Sequence, residues 1–182
     1  MADPKNTKQI AAMTAALRHR GPDEEGTWGQ NGVALGHRRL SIIDPEGGQQ
    51  PMSNEDGTIW VTFNGEIYNY KELREMLKLC GHVFRSQSDT EVIVHAYEEW
   101  GEECLNYFNG MFAFAIWDSQ EKKLFLARDR LGKKPLFYFH NKNKFAFASE
   151  LKALLVDPDI PKNISKQSVY DYLSYGYIPA PN

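Results

Sequence analysis

Met111-Phe112-Ala113-Phe114-Ala115-Ile116-Trp117, followed after a short gap by Lys123-Leu124-Phe125-Leu126-Ala127-Arg128, decides the fold. Both runs have the aliphatic and aromatic make-up of strands. The gap between them, Asp118-Ser119-Gln120-Glu121-Lys122, is too short for a crossover helix, so the two runs pair antiparallel through a hairpin. In 111–117 the large Phe112 and Phe114 alternate with the small Ala113 and Ala115, all apolar, which predicts a strand covered on both faces. Leu136 to Phe139 and Lys144 to Ala148, either side of His140-Asn141-Lys142-Asn143, predict a second hairpin, and Thr58 to Phe63 a further strand. Helices are expected over 7–18, where Ile10, Met13, Ala16 and Leu17 keep helical spacing, and after Asn69, with Glu72 as reciprocal cap. A third opens at Ser88-Asp89-Thr90-Glu91 and stops at Gly101, and a last one runs from Ser165 to Tyr177 into a proline-rich exit. Antiparallel strands covered by helices make an α+β layered sandwich.

The chain has 182 residues, enough for one core. With 42% hydrophobic and 25% charged residues it has the usage of a folded soluble domain, not of a disordered, collagenous or coiled-coil chain. The 21 Lys and Arg against 24 Asp and Glu give a net charge of −3, with pI ≈ 6.0, so no basic surface for nucleic acid is expected. No run approaches the roughly 18 apolar residues of a membrane span, and the polar start Met1 to Lys5 lacks the apolar stretch of a signal peptide. The expectation is a cytoplasmic protein that engages no membrane. Cys80 and Cys104 are too few for a disulfide framework or a cysteine metal set and are expected to be buried small hydrophobes. Zinc-hydrolase, phosphate-loop and serine-hydrolase motifs are all absent.

Four polar segments sit beside predicted strands or helix starts: His19 to Asp23, Gly36 to Asp44, Phe63 to Asn69, and Ser88 to Glu91. Their chemistry suits a zwitterion. An Arg grips a carboxylate with its planar fork, an Asp holds an ammonium, and an Asn-Gly turn aims an amide and a backbone N–H at one oxyanion. Taken singly, each has a plainer reading. Arg39 could pair with a surface acid, Asn64-Gly65 could end a strand, and Asp89 could serve a helix dipole. His19, Arg20 and Asp23 read as a loop clamp, His37 and Arg38 as exposed neighbours, and Arg128 with Asp129 as a buried structural pair. Trp60, Phe112 and Trp117 read as core.

The ordered series His-Arg-Gly-Pro-Asp (19–23), Arg-Leu-Ser-Ile-Ile-Asp (39–44), Gly-Gly-Gln-Gln-Pro-Met (47–52), Asn-Gly-Glu-Ile-Tyr-Asn (64–69), Ser-Asp-Thr-Glu-Val (88–92), Gly-Met-Phe-Ala-Phe-Ala (110–115) and Arg-Asp-Arg-Leu-Gly-Lys-Lys-Pro-Leu (128–136) spans nearly the whole chain. It resembles the glutaminase domain of glutamine-hydrolysing asparagine synthetases, which are class II glutamine amidotransferases of N-terminal-nucleophile hydrolase type. The resemblance implies a four-layer αββα sandwich of two antiparallel sheets. It implies that Arg39 holds the α-carboxylate of L-glutamine, that Leu40, Ser41, Ile42 and Ile43 line the same pocket as a strand, and that Asp89 holds the ammonium. It also implies that Asn64 and Gly65 form an oxyanion hole and that Glu66 is a neighbouring contact. No metal or cofactor is expected in this domain; ATP and magnesium would belong to a synthetase domain of the same parent chain, with a homodimer an open expectation for the full-length protein.

In that family the nucleophile is a cysteine at the N-terminus, whose α-amine, titrating near roughly 7.7–8.0, shuttles the proton. This sequence begins Met1-Ala2-Asp3-Pro4, so the cysteine strand is read as missing and the chain as inactive alone. The expected division is an amidotransferase domain over 1–174 and the start of a linker over 175–182. Two alternatives stand beside it: a non-catalytic glutamine-binding or interaction module, and the amidotransferase domain of a related enzyme with another acceptor.

Overall fold

A computed structural model describes residues 4–40 and 47–179. In chain order the elements are α1 (Pro4–Ala16), β1 (Glu24–Gln30), β2 (Val33–Arg39), β3 (Met52–Ser53), β4 (Ile59–Ile67), α2 (Tyr70–Leu79), α3 (Asp89–Trp100), a 3₁₀ turn (Gly101–Asn106), β5 (Gly110–Asp118), β6 (Lys123–Arg128), β7 (Phe137–Asn141), β8 (Lys144–Ala148), α4 (Leu151–Leu154) and α5 (Lys166–Tyr175). Among the described residues no helix is long and apolar enough to cross a membrane.

The expected hairpin forms with Ala115 opposite Leu126, and β5 also pairs antiparallel with β4, Thr62 opposite Ala115. The sheet order β3-β4-β5-β6 makes β5 an inner strand. Phe112 to Ile116 are all buried, the two-sided cover that their alternating apolar pattern predicts. One face of this sheet is closed by α2 and α3, with Leu73, Leu77, Val92, Ile93 and Ala96 in one cluster with Val61, Phe63, Phe114 and Ile116. Burying each of the larger of these side chains contributes about 1.5–3 kcal/mol over leaving it in water. Behind the other face lie the hairpins β1-β2 and β7-β8, covered by α1 and α4. Met13, Ala148, Ala153, Leu154 and Ile160 form that second core. The layers are helix, sheet, sheet, helix, but the second sheet layer departs from the continuous sheet expected. Among the described residues β2 pairs with β1 alone and β8 with β7 alone.

Local chemistry differs from expectation in several places. The β1-β2 hairpin has no periodic signal in the sequence, because Glu24 to Gln30 has too few apolar residues to read as a strand. Its turn nonetheless carries a strong signal: Asn31 and Gly32 both have positive φ, 51° and 86°, as a two-residue hairpin with right-handed twist requires. Ser88 caps α3 by accepting from the Thr90 amide at 3.2 Å, and Gly101 ends it at φ 57°. Glu91 does not complete the capping box; it accepts from the amides of Arg85 and Ser86. Asn69 does not cap α2, since its side chain is engaged by the Asn109 amide and the Tyr107 carbonyl. Arg128 and Asp129 are not a pair: Arg128 donates to the carbonyls of Gly132 and Lys134, while Asp129 accepts the amides of Phe112, Leu131, Lys133 and Lys134. Both brace the 129–134 loop. Phe112 is core, whereas Trp60 is half-buried and stacks on Trp28 at 4.7 Å. Trp117 is half-buried too. Cys104 is buried but Cys80 is exposed, against expectation.

Candidate active site

The strand β4 crosses the middle of the molecule and brings Asn64, Gly65 and Glu66 to a cleft of about 350 Å³. Arg39 at the end of β2, Leu40, and Asp89 at the start of α3 border the same cleft. Six of the nine residues implied by the resemblance therefore meet in one place, although 50 positions separate Arg39 from Asp89 in the chain. Ser41, Ile42 and Ile43 lie outside the described residues. Leu40 follows the end of β2 (Val33–Arg39) and is exposed.

Gly65 is required by close approach. A Cβ on it would lie 2.2 Å from the Met111 carbonyl oxygen and 2.8 Å from the Phe112 Cα, so β4 and β5 could not keep their register. Beside it, the Nδ2 of Asn64 is buried and makes no hydrogen bond. An orphaned buried donor costs about 1–3 kcal/mol, so a ligand oxygen placed there would recover an energy the fold has already spent.

Asp89 is 5% exposed, and its Oδ2 accepts the Ile67 amide at 3.0 Å. Burial pushes its carboxyl above the ordinary range; the Ile67 amide opposes this and the charge of Glu66 adds to it. A cation reaching Asp89 would favour the carboxylate and reverse the shift. Arg39 is also buried, with Nη1 3.1 and 3.3 Å from the two oxygens of Glu24, its cross-strand neighbour. The His-Arg-Gly-Pro-Asp loop lies directly on the Arg39 backbone. A Cβ on Gly21 would stand 2.3 to 2.5 Å from Arg38 and Arg39 backbone atoms, and the Asp23 amide donates to the Arg39 carbonyl at 3.1 Å. His19 and Arg20 both bond Glu150 just before α4, the clamp expected of that loop.

Two cleft residues escaped the sequence reading. His37 is not an exposed neighbour: it borders the cleft, its Nδ1 3.2 Å from Thr62 Oγ1. Burial and the Arg39 charge lower its pKa to about 4, so it is neutral. Arg38 is half-buried, held by Glu25 and the Thr14 carbonyl. Gln50 accepts the Phe63 amide at 2.6 Å and donates to Thr90 Oγ1 at 3.2 Å, tying the strand that carries Asn64 to the helix that carries Asp89. The Gly-Gly-Gln-Gln-Pro motif marked the segment, but not the role of Gln50.

The rest of the lining is mixed, with Met13, Leu17, Ala113, Ala115, Phe147 and Ala148 beside Thr14, Arg20, Lys134 and Ser149, and both β2 and β8 border it. Neither cysteine lines it, and burial raises the Cys104 thiol to about 12. An arginine, an aspartate and an orphaned amide donor thus border one cleft together with apolar side chains from α1, β5 and β8.

Comparison with known proteins agrees with this architecture. A family model described as a glutamine amidotransferase domain matches residues 1–182. Asparagine synthetase [glutamine-hydrolyzing] 3 of Bacillus subtilis is 45% identical over 166 residues, 90% of this chain and 27% of that protein. Asparagine synthetase [glutamine-hydrolyzing] 3 of Arabidopsis thaliana is 49% identical over 150 residues, 82% of this chain and 26% of that protein. The chain thus spans about a quarter of these curated relatives. In fold it is similar to glutamine phosphoribosylpyrophosphate amidotransferase from B. subtilis, with TM-score 0.67 and 24% identity over 81% of this chain and 40% of that one. The family match runs the full length of this helix, sheet, sheet, helix sandwich, and the chain belongs to the glutamine amidotransferase domain family.

Proposed function

We propose that this domain binds L-glutamine in the cleft and hydrolyses its side-chain amide to glutamate and ammonia. Arg39 holds the α-carboxylate and Asp89 the α-ammonium, which fixes the zwitterion at both charges. Leu40, Ser41, Ile42 and Ile43 line the pocket, and Glu66 contacts the substrate. The side-chain amide then reaches Asn64 and Gly65. The nucleophile is a cysteine thiolate carried on a segment outside the residues described, extended along the cleft between β2 and β8, each of which pairs on one side only among the described residues. The thiolate attacks the amide carbon, and the carbonyl electron pair moves to oxygen, where Asn64 Nδ2 and the Gly65 N–H stabilise it. The cysteine's α-amine passes the thiol proton to the leaving nitrogen, ammonia departs, and water hydrolyses the thioester.

In the whole protein the ammonia amidates aspartate in a synthetase domain that uses ATP and magnesium. The boundary lies near 174, with 175–182 opening the linker, and the protein works in the cytoplasm. The observation that carries the reading is the buried, unpartnered Asn64 Nδ2 in the same cleft as Arg39 and Asp89. Ammonia release from glutamine by a form extended upstream to an N-terminal cysteine tests it. Release is expected, with loss on Cys→Ala replacement; no release from a folded extended protein overturns the proposal.

A further inference from the structure

Outside the cleft lining, Glu91, His95 and Glu98 recur at i, i+4 and i+7 on one face of α3, and the loop after α2 lays His82 against them. The Nδ1 of His95 is 2.7 Å from Glu98 Oε2, and the Nδ1 of His82 is 3.7 Å from the same oxygen. The two rings stand 5.0 Å apart at 40°. One ligand atom from each of His82, His95 and Glu98 lies within 4.8 Å of the others. The second Glu98 oxygen accepts Asn54 Nδ2 at 2.8 Å, which leaves Oε2 turned toward the histidines.

The outer ring nitrogens are equally telling. His82 Nε2 is 3.1 Å from Glu99 Oε2. His95 is 1% exposed, yet its Nε2 makes no hydrogen bond and stands 3.7 Å from Glu91 Oε1. Glu91 is itself pinned by the Ser86 hydroxyl and by the Arg85 and Ser86 amides. Each imidazole thus has its Nδ1 toward a shared carboxylate oxygen and its Nε2 toward a second carboxylate. That is how metal-bound histidines are oriented, with the outer carboxylate setting the tautomer.

We propose that His82, His95 and Glu98 form a site for a divalent transition metal ion, zinc first, oriented by Glu91 and Glu99. Two imidazoles and one carboxylate suit zinc, and a water completes the tetrahedron on the side where Glu98 is 21% exposed. Bonds of about 2.0–2.1 Å bring ligand atoms to about 3.3 Å apart, so His82 must close in by about 1.5 Å. Its amide donates to the Leu77 carbonyl at 3.1 Å just after Gly81, at φ 102°, so the movement belongs to the His82 side chain. The competitor is a proton. Burial lowers the His95 pKa, but the neighbouring carboxylates of Glu91 and Glu98 override this and raise it to about 9. The ion displaces that proton and clips the 80–85 loop to α3.

The test is a cobalt(II) absorption titration of the chelator-stripped chain, followed by zinc competition and by thermal unfolding with and without zinc. One equivalent of cobalt with tetrahedral visible bands, displaced by zinc, and a raised midpoint are expected. His82→Ala should weaken binding by roughly 100-fold or more and Glu99→Gln by roughly 10- to 100-fold. Cys80→Ser, at the exposed thiol two positions before His82, should change nothing. No stoichiometric binding, binding that survives His82→Ala in a folded chain, or binding lost with Cys80→Ser overturns the site. If His82→Ala fails to fold, Glu99→Gln decides, since unchanged affinity there also overturns it.

Discussion

Replacing Asn64 by alanine separates the cost of the site from its use. The Nδ2 donor is buried without a partner, which costs about 1–3 kcal/mol in the ligand-free fold. Truncation removes that penalty and gives up packing worth roughly one methylene, about 0.8 kcal/mol. The net is between about 0 and +2 kcal/mol of added stability. For a chain of this length that is a melting midpoint between unchanged and about 8 °C higher. Catalysis goes the other way. Losing one oxyanion donor lowers turnover by about 100- to 1000-fold, with glutamine affinity little changed. Thermal unfolding by circular dichroism reads the first effect, and ammonia release by the cysteine-bearing form reads the second. A midpoint that falls by several degrees would show that Nδ2 is satisfied in solution, and turnover within threefold of wild type would refute its role as a donor to the oxyanion.

Asp89→Asn should abolish the glutamine-induced rise in melting midpoint while raising the ligand-free midpoint, because burial makes the ionised carboxyl unfavourable in the fold. For the same reason glutamine binding should weaken as pH falls through the raised Asp89 value, where the carboxylate that holds the ammonium is lost; calorimetry across acidic pH checks this. Arg39→Lys should cost glutamine affinity roughly 10-fold or more, since an ammonium lacks the planar fork that grips a carboxylate bidentately, and equal affinity by calorimetry would remove Arg39 from recognition. Asp129→Ala should lower the midpoint by leaving four backbone amides without their carboxylate. Although burial pushes the Asp129 carboxyl up, the amides of Lys133, Lys134, Phe112 and Leu131 hold it below the usual range. Its stabilisation is therefore complete above the unfolded value and is lost as pH falls through the lowered one, which urea titrations at several acidic pH values would show.

The sequence by itself determined strands β4, β5 and β6 of the inner sheet and most helices, because short-range rules govern them. A gap of five residues forces a hairpin, alternating phenylalanine and alanine demand two-sided cover, and Ser88 and Gly101 mark where α3 can start and stop. The β1-β2 hairpin escaped because its charged strand hides the period, although Asn31-Gly32 announced the turn. Motif order pointed to Arg39, Asn64, Gly65 and Asp89, yet each of those residues has an ordinary reading in isolation. Only the tertiary structure placed them in one cleft, neutralised His37 by burial, made Gln50 the tie between β4 and α3, and left Asn64 Nδ2 without a partner. The physical reason is that desolvation and satisfied or unsatisfied hydrogen bonds depend on which distant segments come together. Local propensity and periodicity carry no information about that.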